Sequence, residues 1–274
     1  MVNKLKYIFL IFFMYINILS VHCQNVVTEK SNYQVIYNLN YQKDSTDIQT
    51  KTDEKMILLI GDNYSLFESW AGRYNDSIAL SLEEKGVNVY TAMEKIRSQR
   101  KSNRFNFRIL KEKEKDKTII FNSFFSDNFI YENNEILNWK LSDETKLING
   151  YKCFSATLSY AGRNYLAWFT NEIPIPDGPY IFKGLPGLII SIEDEKQHYK
   201  FELISFEKDN EIFSFDLEDG TKISKDTFFK AYNSAKENFL SQLAQRGIEV
   251  ASDDKRSLKK RVQKSRNNTI EIQY

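Results

Sequence analysis

All four prolines of this 274-residue chain, Pro174, Pro176, Pro179 and Pro186, fall within one short stretch, PIPDGPYIFKGLPGLII at 174–190, together with Gly178, Gly184 and Gly187. Proline fixes φ near −65° and donates no hydrogen bond, while glycine reaches backbone conformations closed to other residues. The backbone here is therefore dictated residue by residue, whatever surrounds it. Leu185-Pro186-Gly187-Leu188 reads as a type II turn, with proline at its second position and glycine at its third. The stretch offers only Asp177 and Lys183 as charged side chains, so it is expected to shape a site and not to perform chemistry.

The first residues have the three parts of a secretory leader: Lys4 and Lys6, an apolar run from Tyr7 to Leu19, and a polar boundary ending at Cys23-Gln24. Residues 1–23 are read as a signal peptide and 24–274 as a single domain. The apolar run falls short of the roughly 20 residues that span a bilayer. His22 stands where a lipoprotein carries a small residue. Cleavage after Cys23 leaves Cys153 alone, so no internal disulfide is expected. It also removes two lysines from 38 basic against 37 acidic side chains, leaving one net negative charge. No global field points to nucleic acid. The expected location is exported: periplasmic, outer-membrane-associated or extracellular.

Twenty Phe and sixteen Tyr favour pleated, half-buried surfaces. Strands are expected at 33–40, 56–62, 87–91, 105–110, 118–125, 128–131, 187–193, 199–207 and 211–217. Polar stretches at 43–55 and 111–117 are read as connections, and helical turns are expected at 63–68 and 75–84, ending at Gly86. Residues 151–170 form the clearest unit, two alternating arms around Ala161-Gly162-Arg163-Asn164. The period of two places Cys153 with Ser155 and Thr157 on the more polar face. Ser224 is expected to cap an amphipathic helix running to Arg246, with Phe228, Tyr232, Ala235, Phe239 and Leu243 on one face. Residues 255–266 are strongly basic and read as a solvated helix face. The architecture predicted is α+β and mainly antiparallel: a long curved sheet, half-barrel-like by analogy with periplasmic lipoprotein carriers, with a C-terminal helix packed on it.

Gly184-Leu185-Pro186-Gly187-Leu188-Ile189 is letter for letter the signature of the GLPGLI family of secreted Bacteroidetes proteins, also called Porph_ging, and the chain resembles that family elsewhere too. Trp139-Lys140-Leu141, Glu144-Thr145-Lys146 and Ile148-Asn149-Gly150-Tyr151 are similar to its W-x-L, E-T-K and I-x-G-Y elements. Cys153 with Ala156-Thr157 is similar to its C-x-K-A-T, with Ser155 where lysine is frequent. Gly162-Arg163, Ala167-Trp168-Phe169-Thr170, Glu172-Ile173-Pro174 and Gly178-Pro179 follow in the family's order. Asn267-Asn268-Thr269-Ile270-Glu271 resembles the common ending N-P-I-E, with threonine for proline. The resemblance implies export in a Bacteroidetes bacterium and carries no activity, cofactor or catalytic residue.

Reactive groups are few beyond the leader. His198 lies in a polar turn and Cys153 in mid-strand; a Cys153–His198 dyad would need them to meet in space. Histidine and cysteine are too few for a zinc site; Asp177-Gly178 or Glu193-Asp194-Glu195 could supply oxygen ligands to a cation, but neither has the spacing of a calcium loop, and no metal and no cofactor is assigned. No phosphate loop, dinucleotide fingerprint or G-x-S-x-G elbow occurs, and no carboxylate pair stands out among the acids. Aromatic side chains are plentiful, and Tyr165, Trp168, Phe169, Tyr180 and Phe182 are the candidate ligand contacts, the alternative being that they fill the core. The reading that follows is a non-enzymatic envelope protein binding an apolar ligand or an envelope partner. The second reading is a secreted hydrolase using Cys153 or a carboxylate pair.

Overall fold

The computed structural model describes residues 26–124, 127–245, 247, 254–258, 264 and 267–271. The expected leader and most of the basic segment 255–266 lie outside the described residues. The chain runs through β1 (Val26–Lys30), β2 (Tyr33–Asp44), β3 (Asp47–Ile60) and β4 (Tyr64–Ser69), then helices α1 (Trp70–Glu84) and α2 (Val89–Gln99). Next come β5 (Arg108–Glu112), β6 (Lys117–Phe124), β7 (Asp127–Asn133), β8 (Lys140–Ile148), β9 (Tyr151–Tyr160) and β10 (Arg163–Thr170). After the proline stretch follow β11 (Leu188–Asp194), β12 (Tyr199–Lys208), β13 (Ile212–Asp216), β14 (Thr221–Lys222), α3 (Lys225–Glu237) and α4 (Phe239–Gln245).

Twelve strands form one open, curved sheet in the order β14-β7-β6-β5-β4-β3-β2-β12-β11-β10-β9-β8. It consists of two antiparallel meanders, β2 to β7 and β8 to β12, joined where β12 pairs with β2. Only β14 runs parallel to its neighbour, β7. The mainly antiparallel α+β class read from the sequence is the class observed. The sheet is not a closed barrel, and its edge strand β8 is exposed along nearly its whole length.

The run Met56-Ile57-Leu58-Leu59-Ile60 shows why an apolar block without alternation can be a strand. Met56, Leu58 and Ile60 join the main core, while Ile57 and Leu59 face a second cluster covered by Phe213 and Phe215 of β13. Both faces are buried there, so both parities are apolar. β13 reaches this position in a two-stranded ribbon with β1.

Several local expectations are overturned by tertiary pairing. The polar stretch 43–55 is mostly the outer arm of the β2–β3 hairpin, where Asp53 accepts hydrogen bonds from Asn38 and Asn40 across the ladder. Residues 64–69 are strand β4 and not a helical turn, because Leu66 and Phe67 are consumed between β3 and β5. The helix begins only where Ser69 Oγ accepts from Gly72 N. The expected strand at 87–91 opens helix α2 instead, with Asn88 Oδ1 accepting from Thr91 N. The C-terminal helix is interrupted at Asn238 and continues as a short α4; Ser224 is its N-cap as expected. Cys153 is fully buried in the main core, because the face it shares with Ser155 is covered there and opens to solvent only from Thr157 onward.

The type II turn is also corrected. Gly187 is not among the glycines with positive φ, whereas Gly184 has φ 88°. Gly187 N donates to Leu185 O at 2.7 Å, a three-residue turn centred on Pro186, and matching bonds run from Ile175 N to Ile173 O and from Asp177 N to Ile175 O around Pro174 and Pro176. What requires glycine at 187 is space: a Cβ there would lie 1.9 Å from Thr170 O. That carbonyl belongs to β10, the strand that pairs with β11, so it cannot yield without opening the ladder. Gly187→Ala is expected to destabilise the fold by about 2 kcal/mol or more, seen as a melting temperature lower by roughly 4–8 °C for a domain of this size. An unchanged melting temperature would contradict the close approach.

Candidate functional site

The proline stretch crosses from the second meander to the first and is pinned there by charge. Ser65 on β4 and Lys111 on β5 are direct cross-strand partners. Lys111 Nζ donates to Asp177 Oδ1 and to Gly178 O, each at 2.6 Å, and Ser65 Oγ donates to Asp177 Oδ2 at 2.5 Å. Burial drives the Lys111 ammonium below its ordinary value, opposed by the adjacent Asp177 carboxylate. Lys111 had been assigned to the polar stretch 111–117, yet it is one of the largest fully buried side chains of the fold. Ile189 N bonds Asp177 O and Tyr37 OH bonds Ile189 O, so the whole corner is tied to both meanders.

A second buried node forms at the far end of the β9–β10 hairpin. Ala161 and Gly162 both take positive φ, 46° and 80°, the geometry of a two-residue type I′ turn. Arg163 therefore begins β10 and points inward. Its Nη1 bonds Asp194 Oδ2 at 2.8 Å, its Nη2 donates to Asn268 Oδ1 at 2.7 Å and Thr269 O at 2.6 Å, and its Nε donates to Ile270 O at 3.0 Å. The guanidinium lies over the Tyr199 ring, 4.9 Å from its centroid. These contacts draw residues 267–271 across the molecule. Tyr199 OH donates to Asn268 O, Asn268 Nδ2 to Gln42 O, and Asn267 Nδ2 to Asp44 Oδ1, each at 2.7 Å.

Residues 268–271 form one wall of a cavity of about 350 Å³. Nine aromatic rings line it: Phe105 and Phe107 before β5, Phe124 on β6, Tyr131 on β7, Tyr180 of the proline stretch, Tyr199 on β12, and Phe228, Phe229 and Tyr232 on α3. Tyr131 stacks on Phe228 at 4.7 Å and Phe107 meets Tyr180 edge-on at 5.4 Å. Phe105, Phe124, Phe229 and Tyr232 keep part of their surface accessible. At the polar end Glu271 Oε1 accepts from Tyr180 OH and from Tyr160 OH, while Oε2 meets Lys225 Nζ at 2.9 Å. Burial and then the Glu271 charge push the Tyr180 phenol well above its ordinary value. Burial opposes the Lys225 ammonium, but Glu271 and Glu135 outweigh it and hold that group protonated.

The five aromatics read from the sequence are all buried. Tyr180 lines the cavity just described, and Tyr165 lines a wider groove beside Glu193 and Glu195. Trp168, Phe169 and Phe182 are packed inside the main core, Phe182 against Tyr165 at 4.8 Å. Phe228, Phe229 and Tyr232 were visible in the sequence only as the apolar face of a helix, and Arg163, Asn268 and Glu271 only as letters of family motifs. A buried charge has no sequence signal of its own until its partner is placed.

Cys153 and His198 are not brought together. Cys153 Sγ contacts Tyr151 O at 3.5 Å, and burial pushes its thiol up to about 11, so it is not a thiolate near neutrality. It lies seven residues before Tyr160 on β9, roughly 23 Å from the hairpin end at the rise of a strand. His198 sits near that hairpin end, its Nδ1 3.5 Å from Arg163 Nη1, and burial holds it below its usual value despite the pull of Asp194. A carboxylate pair does share a cleft of about 220 Å³, Glu68 and Asp76. Glu68 is held by Arg73 and Arg108, each at 2.9 Å, and burial followed by the Glu68 charge raises Asp76. Glu68 is thus engaged in ion pairs with two guanidinium groups. Among the described residues no group of three or more His, Cys, Asp or Glu could hold a metal ion, and no helix is long and apolar enough to cross a membrane.

A family model described as "Protein of unknown function (Porph_ging)" matches residues 160–191. This segment carries the Porph_ging signature. It holds Tyr160, Arg163, Asp177 and Tyr180, so the Porph_ging segment supplies an anchor to each buried node and a wall to the cavity. No curated protein matches the chain. Among solved structures, PNGF-II in the P21 and C2 space groups is similar to it, each with a TM-score of 0.52 and 14% identity over 75% of this chain. The chain spans only about a third of the length of those chains, 34% and 33%. At that identity the likeness is one of fold.

The anchoring of residues 267–271 has a pH dependence whose sign is fixed. Hydrogen bonds from Asn267 first, and then from Thr46, lower the Asp44 carboxyl from 3.8 to about 2. A folded-state value below the unfolded one adds stability above about pH 4, lost as pH falls toward about 2. The unfolding midpoint is therefore expected to drop across that window, and Asp44→Asn is expected to flatten the drop in a urea series at pH 2, 3 and 4. Equal slopes in the two proteins would refute the assignment.

Proposed function

We propose that this chain is an exported binding protein and that the ring-lined cavity between α3, the proline stretch and residues 268–271 holds an apolar small molecule. One observation carries the reading: nine aromatic rings surround about 350 Å³ that they do not fill, a volume within the range of small-molecule sites. Glu271 and the hydroxyls around it, with Arg104, Asn106, Asn122 and Ser123 elsewhere in the lining, suit a ligand that carries hydroxyl, amide or amine groups on an apolar body. The hydrolase reading finds less support, since Cys153 is buried away from His198 and Glu68 is taken up in ion pairs with Arg73 and Arg108.

The test uses a neutral fluorescent apolar probe, N-phenyl-1-naphthylamine. Micromolar binding with enhanced emission is expected. Phe229→Ala is expected to weaken it by roughly tenfold or more, the size of one lost buried ring contact. Phe229 is only half-buried, so the variant should keep its fold, which a melting curve verifies. Absence of probe binding, or equal binding by a folded Phe229→Ala variant, would overturn the reading.

Export rests on the leader-like residues 1–23. Amino-terminal sequencing of the protein recovered from a secreting bacterial host is expected to begin at Gln24. A mature protein that retains Met1 or Val2 would refute it.

A further inference from the structure

The way residues 267–271 are held is that of a bound peptide. Among the described residues they belong to no strand and make no backbone-to-backbone hydrogen bond with the rest of the chain. Instead, side chains on preceding strands read their main-chain carbonyls in succession. Tyr199 OH reaches Asn268 O at 2.7 Å, Arg163 Nη2 reaches Thr269 O at 2.6 Å, and Arg163 Nε reaches Ile270 O at 3.0 Å, joined there by Tyr165 OH at 3.3 Å. Two side chains of the segment are recognised as well. The Asn268 amide is satisfied on both sides, accepting from Arg163 and donating to Gln42 O, and Glu271 is enclosed by Tyr180, Tyr160 and Lys225. Both are buried. The reader itself is preorganised: Asp194 fixes Arg163 Nη1, and Asp194 Oδ1 accepts from Tyr199 N at 2.6 Å, so the two reading groups share one carboxylate. Arg163 is a forked donor, and two of its three nitrogens are spent on carbonyls that any extended peptide presents.

We propose that the Arg163 slot is a peptide-binding site for an Asn-x-x-Glu segment, filled in cis by the chain's own residues 267–271, with bends at Asn267 and Ile270, and able to take the same segment from a second copy. The slot shares Tyr180 and residues 268–271 with the aromatic cavity, but the contacts that read the segment's carbonyls come from Arg163, Tyr165 and Tyr199 and need no molecule in the cavity. Peptide recognition combines hydrogen bonds to the main chain for affinity with side-chain pockets for specificity; here side chains supply the first and the Asn268 and Glu271 contacts the second.

The experiment starts from the full chain with a protease site inserted between Arg266 and Asn267, folded first and cut afterwards. A labelled octapeptide, Asn-Asn-Thr-Ile-Glu-Ile-Gln-Tyr, is then added and uptake is followed by fluorescence anisotropy. Saturable exchange into the cut chain is expected, weakened tenfold or more in peptides carrying Asn268→Ala or Glu271→Gln. Arg163→Lys in the chain, which keeps the charge and loses the fork, should weaken uptake to a similar degree. No uptake, or equal uptake of a scrambled octapeptide, would overturn the proposal. So would loss of near-ultraviolet circular dichroism on cutting, because the segment would then be core and not ligand.

Discussion

The buried pair of Lys111 and Asp177 is the contact on which the shape of this molecule turns. Taking both charges out of water costs several kcal/mol per ion, and their attraction repays it only when the remaining hydrogen-bonding positions are filled. Here they are filled by Ser65, by Gly178 O, and by Gly178 N, which donates to Asp177 Oδ1 at 2.7 Å. An apolar pair of similar volume could serve stability as well, whereas loss of one partner would leave a stranded charge and cost about 3–5 kcal/mol. The pair accordingly specifies position: it forces a segment inserted between β10 and β11 to meet β4 and β5. Four prolines and a glycine with no room for a Cβ hold that segment in the one shape that brings Asp177 to Lys111.

How much of this could be read from the sequence depends on the range over which each signal acts. The β9–β10 hairpin was legible because alternation and a two-residue turn are local facts, and so was the cap at Ser224. β4 was misread as helical because Asn63 looks like a capping residue at the start of a helix. Only pairing with β3 and β5, a tertiary fact, makes Leu66 and Phe67 part of a sheet. Val89 and Tyr90 point the other way: strand-forming residues that remain exposed on α2, where the Asn88 cap prevails over propensity. Lys111 and Arg163 were illegible as core residues, since composition marks both as surface and only their carboxylate partners reverse that.

The candidate site was legible in kind and not in place. An abundance of rings says that rings will pack, but a ring lines a cavity only where its neighbours fail to fill the space. That failure is a property of seven segments meeting, among them α3 and residues 268–271, which no local pattern connects to the proline stretch. Tyr180 is the point of overlap. Its ring faces the cavity and its hydroxyl meets Glu271, so the most constrained part of the chain and its far end contribute to one enclosure.

The free edge at β8 bears on how a sheet this wide stays solitary. From Lys140 to Leu147 every residue is exposed, Lys140, Asp143, Glu144 and Lys146 interrupt the apolar positions, and the pairing with β9 slips between Leu141 and Thr145. An incoming strand needs a straight, evenly spaced row of donors and acceptors on an uncharged border. This border is crooked and carries charges of both signs, so the sheet can end at its twelfth strand without closing on itself and without recruiting a thirteenth from another molecule.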